Sequence, residues 1–474
     1  MNRRLLIVFC FAFLAIHWLN QALGTYGLMF DESQYWFWAK HPAFGYYSKP
    51  PMIAWLIALS TSLFGDGNFG VKMLSPVLLL LIALVLRATA RLLGHNARTA
   101  NWVAATYLTL PVVSGNAMFF TTDVPLQLCW ALGMYGVLHA LLRPATAARW
   151  WLAAGAAAGF GLLSKYTTVA FAASTFLALV TQPANRRWLA TPWPWLGGLL
   201  AAAIFAPNLW WNMQHHFATF HHTNDRVVTK QVMFYPKDML TFIAAQWGVF
   251  GPVLLGALLL HLRYGPRNEI TRLLHCYIWP LAIAGVVTAL LAGAQAHWIA
   301  PSYLAATLLV VPWLEARAPR WLTASLVLHI VFLALFYLAP PFLSQLPPKK
   351  NPMTRAFVWN ELAAPVQEEL AKHPGAIPIT NERKIATALT YGLRGTRGDA
   401  EPVYKWKDPG VVHDHYDLLT DQADLKGKPV LLITRDPLSP AQQRQMQPVR
   451  QITLDGYPFY FYFQPHYAGA ASAS

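Results

Sequence analysis

Charge is what this chain has least of. Only 12% of its 474 residues are Asp, Glu, Lys or Arg, and the acids are the scarcer half, 21 against 36 lysines and arginines. With 55% of residues hydrophobic and a mean hydropathy of +0.34, the composition excludes an ordinary soluble enzyme, whose charged fraction is about 25%. Cysteine is almost missing too. Cys10, Cys129 and Cys276 all fall inside apolar runs, so no disulfide framework is expected. Repeats, a nucleotide fingerprint and a nucleophile elbow are absent. The cluster QHHFATFHH (His215, His216, His221, His222) matches no standard zinc spacing and reads as a solvated or acceptor-facing loop.

What is present in quantity is apolar sequence. Crossing a hydrocarbon core of about 30 Å takes about 20 apolar residues. Runs that approach this length recur about eleven times between residues 5 and 341. The fold class expected is therefore an α-helical polytopic membrane protein with about eleven transmembrane helices. Its first run, after Arg3 and Arg4, lacks a small-residue cleavage site and reads as an uncleaved signal-anchor. Near Pro340 the composition changes. Strand-like GAIPIT (375–380) and KPVLLITRD (428–436) then alternate with amphipathic VWNELAAPVQEELAKH (358–373) and ERKIATALTYGL (382–393). The expected division is a membrane domain over 1–343, with a first outer loop at 25–69, and a polar α/β domain over 344–474.

Arginine orients the bundle. Placing the N-terminus inside gathers fourteen arginines, from Arg3 to Arg320, on one side against only Glu269 and Glu315. Under the positive-inside rule that side is cytoplasmic. The basic charge is thus a topology signal and no sign of nucleic acid, and the polar C-terminal region falls outside. Every other acid of the bundle then lies on the outer side, where Asp31, Lys49, Asp123, Lys165 and His297 gather at one interface. Ionisable groups at membrane depth cost about 2.5–3.5 kcal/mol each and commonly mark a functional cavity.

Local spacing adds detail. In DESQYWFWAK, Asp31, Gln34 and Tyr35 share one face if the segment is helical. Pro50 and Pro51 present Lys49 from a rigid corner, where an ammonium suits an anionic headgroup. MIAWLIALSTSLFG (52–65) is too short to span and reads as an interfacial helix. Each residue also has a structural reading. Asp31 and Glu32 suit a helix N-terminus, Lys49 a snorkelling position, Asp123 an N-cap before Val124 and Pro125, and His297 with Trp298 an aromatic belt.

In order along the chain, DESQY, YYSKPPMIAW, LFGDGNFGVKM, TTDVPL, GLLSKYT, PNLWWN and HWIAPSY resemble the polyprenyl-phosphate-sugar glycosyltransferases of the C-type fold. That superfamily includes the dolichyl-phosphate-mannose protein mannosyltransferases and the bacterial aminoarabinose and galacturonic acid transferases. The resemblance covers about residues 25–340, with a weaker echo in NERKIATALTYGL. It implies inverting, metal-optional transfer of a sugar from an undecaprenyl-phosphate-type donor to an envelope glycolipid such as lipid A or core oligosaccharide. Transfer to a protein hydroxyl or by a whole-glycan ligase are the alternatives, and a secondary transporter is the alternative from another class. The resemblance makes Asp31 the catalytic carboxylate, with Glu32 as helper. Lys49, Lys165 and His297 would contact the donor phosphate, and Gln34, Tyr35, Tyr47 and Asp123 the substrate. Gln34 and Ser48 stand where the aminoarabinose transferases have Arg and Glu, which favours the galacturonosyltransferase-like branch and leaves a hexuronic acid or a neutral hexose as the sugar. The resemblance also implies a bacterial inner-membrane location.

Overall fold

Proline and glycine cut the apolar runs into helices. The structure is a computed structural model that describes residues 1–221, 234–347, 350–351, 353–398, 401–406 and 414–468; His222 lies outside them. Five helices are long and apolar enough to cross a membrane: Arg3–Leu23, Asn68–Leu92, Asp123–Leu142, Glu269–Leu291 and Pro319–Leu338. Two bent pairs bring the number to seven, Tyr166–Val180 with Pro183–Ala190 (110°) and Pro236–Val249 with Pro252–Tyr264 (108°). The second pair breaks a continuous apolar stretch at Gly251. This residue has φ +90°, and a Cβ there would lie 2.0 Å from His329 Nε2. Pro252 then starts the next helix. Among the described residues, five to seven helices qualify as spans by length and apolarity alone, against the eleven or so apolar runs of the sequence. The difference lies in helices such as Ala97–Thr109 and Ala147–Ser164, which are short or made largely of alanine and glycine.

The chain forms two units. The first comprises Met1–Leu23, Lys49–Ile53 and Lys72–Tyr337, and the second Gly24–Ser48, Ala54–Val71 and Leu338–Ser474. The first loop, expected within the membrane domain, is thereby divided, with most of it in the second unit.

In the first unit, helices Ala147–Ser164 and Pro192–Gln214 approach so closely that a Cβ on Gly155 would sit 2.1 Å from the Gly197 carbonyl oxygen. Small residues replace side-chain interdigitation with backbone proximity, the packing that works when lipid supplies no hydrophobic drive. An apolar groove of about 450 Å³ opens beside this contact, lined by Ala154, Phe171, Trp195, Ala201 and Phe205.

In the second unit, five strands form one sheet: β1 (Ile377–Thr380), β2 (Tyr404–Lys405), β3 (Val430–Thr434), β4 (Gln447–Leu454) and β5 (Tyr457–Gln464). Their order is β2-β1-β3-β5-β4. β1 runs parallel to β2 and β3, while β5 is antiparallel to β3 and β4. Apolar but for Thr434, β3 is buried along its length, as a strand covered on both faces requires. Around its Val430 and Leu432 pack Ile379, Leu425, Leu438 and Tyr462. Helices Ala363–Lys372 and Arg383–Gly392 and strands β1 and β3 fall where the alternating patterns place them. Helix Phe30–Lys40 packs on helix Arg383–Gly392, with Trp36 and Tyr391 in edge-to-face contact at 5.0 Å.

Candidate active site

The first-unit cluster starts from two helix ends. Asp123 is the first residue of helix Asp123–Leu142, whose cap is Thr122, so it occupies the first turn rather than the N-cap itself. Helix Ala147–Ser164 stops at Lys165, which turns extended (φ −163°, ψ 135°) and carries its side chain out of the helical path. Lys165 Nζ reaches Asp123 Oδ1 at 2.7 Å, and the carboxylate is only 4% exposed. The other oxygen, Oδ2, faces His297 Nε2 at 3.4 Å.

His297 sits in the single turn Ala296–Ile299. That turn is held from below by Gln246, which donates to the Ala296 carbonyl at 3.3 Å and accepts from the Tyr303 hydroxyl at 2.8 Å. Trp298 lays its ring 5.6 Å from Lys165 Nζ and lines a cavity of about 550 Å³ with Asp238, Thr241 and Gln295. Asp123, Lys165 and His297, named separately from sequence, are therefore one constellation. Asp123 is saturated by its two neighbours, so it holds the lysine and the histidine rather than presenting a carboxylate outward. Lys49, half-buried, stands in extended backbone directly before Pro50 and Pro51.

In the second unit the two acids of DESQYW part company. Both lie in the first turn of helix Phe30–Lys40. Glu32 is buried to 1% exposure and its Oε2 accepts from the Met29 amide at 2.9 Å, the reach-back of a helix cap. Asp31 is 42% exposed and faces Arg383 Nη2 at 3.8 Å. Gln34, one turn on, accepts from Arg383 Nη1 at 3.0 Å, so the shared face expected for Asp31 and Gln34 is realised around one guanidinium. Tyr35 is buried against Trp38 at 5.4 Å, and the Tyr47 amide donates to His415 Nδ1 at 3.4 Å.

The helix is pinned by Asp66 of LFGDGNFG, which accepts from Trp36 Nε1 and from Lys40 Nζ, each at 2.7 Å. Beside Arg383, burial pushes the Glu382 carboxyl above its usual range, with Asp436 adding to the shift against the pull of Arg435, Lys384 and Lys405. Arg383 was not singled out from sequence. The only signal for it was the echo in NERKIATALTYGL. Among the described residues no group of three His, Cys, Asp or Glu stands together as a metal site.

An apolar helical bundle with saturated charge constellations at helix ends, joined in sequence to a small mixed-sheet domain, defines the class: a membrane glycosyltransferase of the C-type fold. Two structures of ArnT from Cupriavidus metallidurans share that fold. The apo form has a TM-score of 0.66 and 18% identity over 96% of this chain and 97% of that one. The form bound to undecaprenyl phosphate has a TM-score of 0.65 and 18% identity over 98% of each chain. The family described as dolichyl-phosphate-mannose-protein mannosyltransferase matches residues 48–211. The lipid A galacturonosyltransferase RgtD of Rhizobium johnstonii is 32% identical over 443 residues, 91% of this chain and 90% of that protein. An undecaprenyl phosphate-alpha-4-amino-4-deoxy-L-arabinose arabinosyl transferase of Pseudomonas fluorescens is 25% identical over 62% of this chain and 54% of its own length. The chain belongs to the same family as RgtD, on the galacturonosyltransferase-like branch of the lipid-phosphate-sugar transferases. It is an enzyme, a membrane-bound glycosyltransferase, which removes the transporter alternative.

Proposed function

We propose that this protein transfers a hexuronic acid, galacturonic acid by its likeness to RgtD, from an undecaprenyl-phosphate-type donor to lipid A or a closely related envelope glycolipid. The reaction takes place on the periplasmic side of a bacterial inner membrane, with the N-terminus cytoplasmic and the C-terminal region periplasmic. The arginine asymmetry of the sequence supports that orientation.

One observation carries the assignment of roles. Of the acids singled out from sequence, Glu32 is spent on a helix cap and Asp123 on a lysine and a histidine. Asp31 alone combines substantial exposure with a cationic neighbour that orients it. In the proposed step the acceptor hydroxyl oxygen attacks the anomeric carbon and its proton passes to the Asp31 carboxylate. The bond from that carbon to the phosphate oxygen breaks, and the polyprenyl phosphate leaves with the electron pair, inverting the anomeric centre. The phosphate needs no general acid. Its growing charge is balanced by Lys49, with Lys165 held ready by Asp123 and Trp298, because cations fixed in advance in a poorly solvated site cost no reorganisation as the reaction proceeds. His297, partly exposed beside Asp123, completes the donor contacts. The apolar groove along Ala154 and Phe205 has the chemistry that an isoprenoid tail requires.

Mass spectrometry of envelope glycolipids from a deletion strain tests the reading. Loss of one hexuronic acid residue from lipid A, restored by the wild-type gene and not by an Asp31→Asn copy, is the expected result. An unchanged glycolipid profile would overturn it.

A further inference from the structure

From Asp31 a row of cations and rings runs outward through the second unit. Arg383, which pairs with Asp31, stacks its guanidinium 5.3 Å from the Phe30 ring. Lys384 Nζ stands 5.3 Å from the same ring and 5.3 Å from Trp359. Arg435, leaving the end of β3, lies 5.5 Å from Trp359 and 5.0 Å from Tyr457. The order is thus Asp31, Arg383, Phe30, Lys384, Trp359, Arg435, Tyr457, with cations and rings alternating after the carboxylate. Trp359 is buried, while the other six are partly exposed. None of the sequence motifs accounts for Arg435. Among the described residues its guanidinium has no hydrogen bond, and its Nε is buried without a partner. Stacked on two rings and near the Glu382 carboxyl, Arg435 keeps its two terminal nitrogens for a ligand oxyanion. Glu382, Asp436 and Asp31 are the acids that face the row, so it is not a plain electropositive patch. Its distinctive property is the alternation.

We propose that this row is the docking track for the anionic saccharide of the acceptor, with the three cations taking phosphate or carboxylate oxygens and the partly exposed rings of Phe30 and Tyr457 taking sugar faces, while buried Trp359 supports the cations from beneath. The inference rests on Asp31 being the base, since the acceptor hydroxyl must then arrive beside it, at the inner end of the row. Phosphorylated glucosamine units and carboxylated sugars both offer this chemistry. A phosphatidylethanolamine headgroup offers an oxyanion but no saccharide face.

The test is acceptor binding to the full-length protein in nanodiscs with no donor present, so its outcome does not depend on which carboxylate acts as base. Three acceptors separate the sources: lipid A, the same lipid with its phosphates removed, and that dephosphorylated lipid extended by a carboxylated sugar. Expected are tighter binding to the first or third than to the stripped lipid, and a loss of about tenfold or more in Kd for Arg435→Gln combined with Lys384→Gln, as removal of charged hydrogen bonds brings. The paired Arg435→Lys and Lys384→Arg variant, which keeps both charges but moves the fork, should recover only part of the loss. Whichever anionic lipid binds tighter names the oxyanion. Equal binding of all three lipids overturns the proposal, as does a double variant that folds and binds the acceptors like wild type. Should the double variant not fold, the charge-retaining pair and the wild-type preference among lipids decide.

Discussion

Lys165 Nζ lies 2.7 Å from Asp123 Oδ1, in a contact where the carboxylate is 4% and the lysine 14% exposed. Asp123 opens helix Asp123–Leu142 and Lys165 closes helix Ala147–Ser164, so the pair ties two helices of the first unit together at the ends where their charges cost least. The pair therefore has a structural part and a chemical part, and substitutions separate them.

Asp123→Asn leaves the ammonium without its counter-charge. Breaking a buried pair from one side costs about 3–5 kcal/mol, so the variant should show a clear drop in Tm in detergent together with lost transfer. The paired change Asp123→Leu with Lys165→Met should regain much of the Tm and none of the activity. Recovery of transfer by that double variant would show that the pair is only structural.

Asp31→Asn should behave in the opposite way. The side chain is 42% exposed, so Tm should hardly move, while loss of a general base lowers turnover by about 10²- to 10⁴-fold. Glu32→Gln should lower Tm modestly through the weakened cap and spare most of the turnover. Radiolabelled donor consumed by each purified variant measures both.

Lys49→Ala should raise the donor KM by roughly tenfold or more, the scale of a lost charged hydrogen bond, and leave the acceptor KM alone. Steady-state kinetics with each substrate varied in turn separates the two.

Gly155→Leu should lower Tm by placing a side chain where only 2.1 Å separates the Cβ position from the Gly197 carbonyl. Overpacking of this kind costs about 1–3 kcal/mol or more. Gly198, which faces open space, should accept alanine without change in the same thermal scan.

The Glu382 carboxyl carries a pH signature. Burial raises its folded pKa above the unfolded value. Between those two values the folded state holds more protons, so this group's contribution to stability falls as pH rises through them. Glu382→Gln should therefore raise Tm near neutral pH and make no difference below the unfolded value, at about pH 4. A Tm advantage that persists unchanged in acid would contradict the assignment.

Several features of the candidate site were legible because they depend on local chemistry. The acid before Val124 and Pro125 and the spacing of Asp31 and Gln34 each fix a helix start or a helix face. Other features were not legible. Nothing in DESQYW tells that Glu32 turns inward to cap its helix while Asp31 turns outward, since both acids suit the first turn equally. Arg383 stands some 350 positions after Gln34 (|i−j| = 349), a separation that no periodicity argument can bridge. The break at Gly251 within an apolar run was likewise hidden, because hydropathy counts residues and does not see a positive φ.

What the sequence by itself determined is the class of solvent this protein needs and the order of its parts: apolar runs dictate helices in lipid, scarce charges mark their ends, and alternating strands and amphipathic helices dictate a small sheet after residue 343. Only the tertiary structure decided which charges meet. Pairing at 2.7 Å or 3.8 Å depends on where separate helix ends are carried in space, and that is set by the packing of small residues and aromatic rings far along the chain.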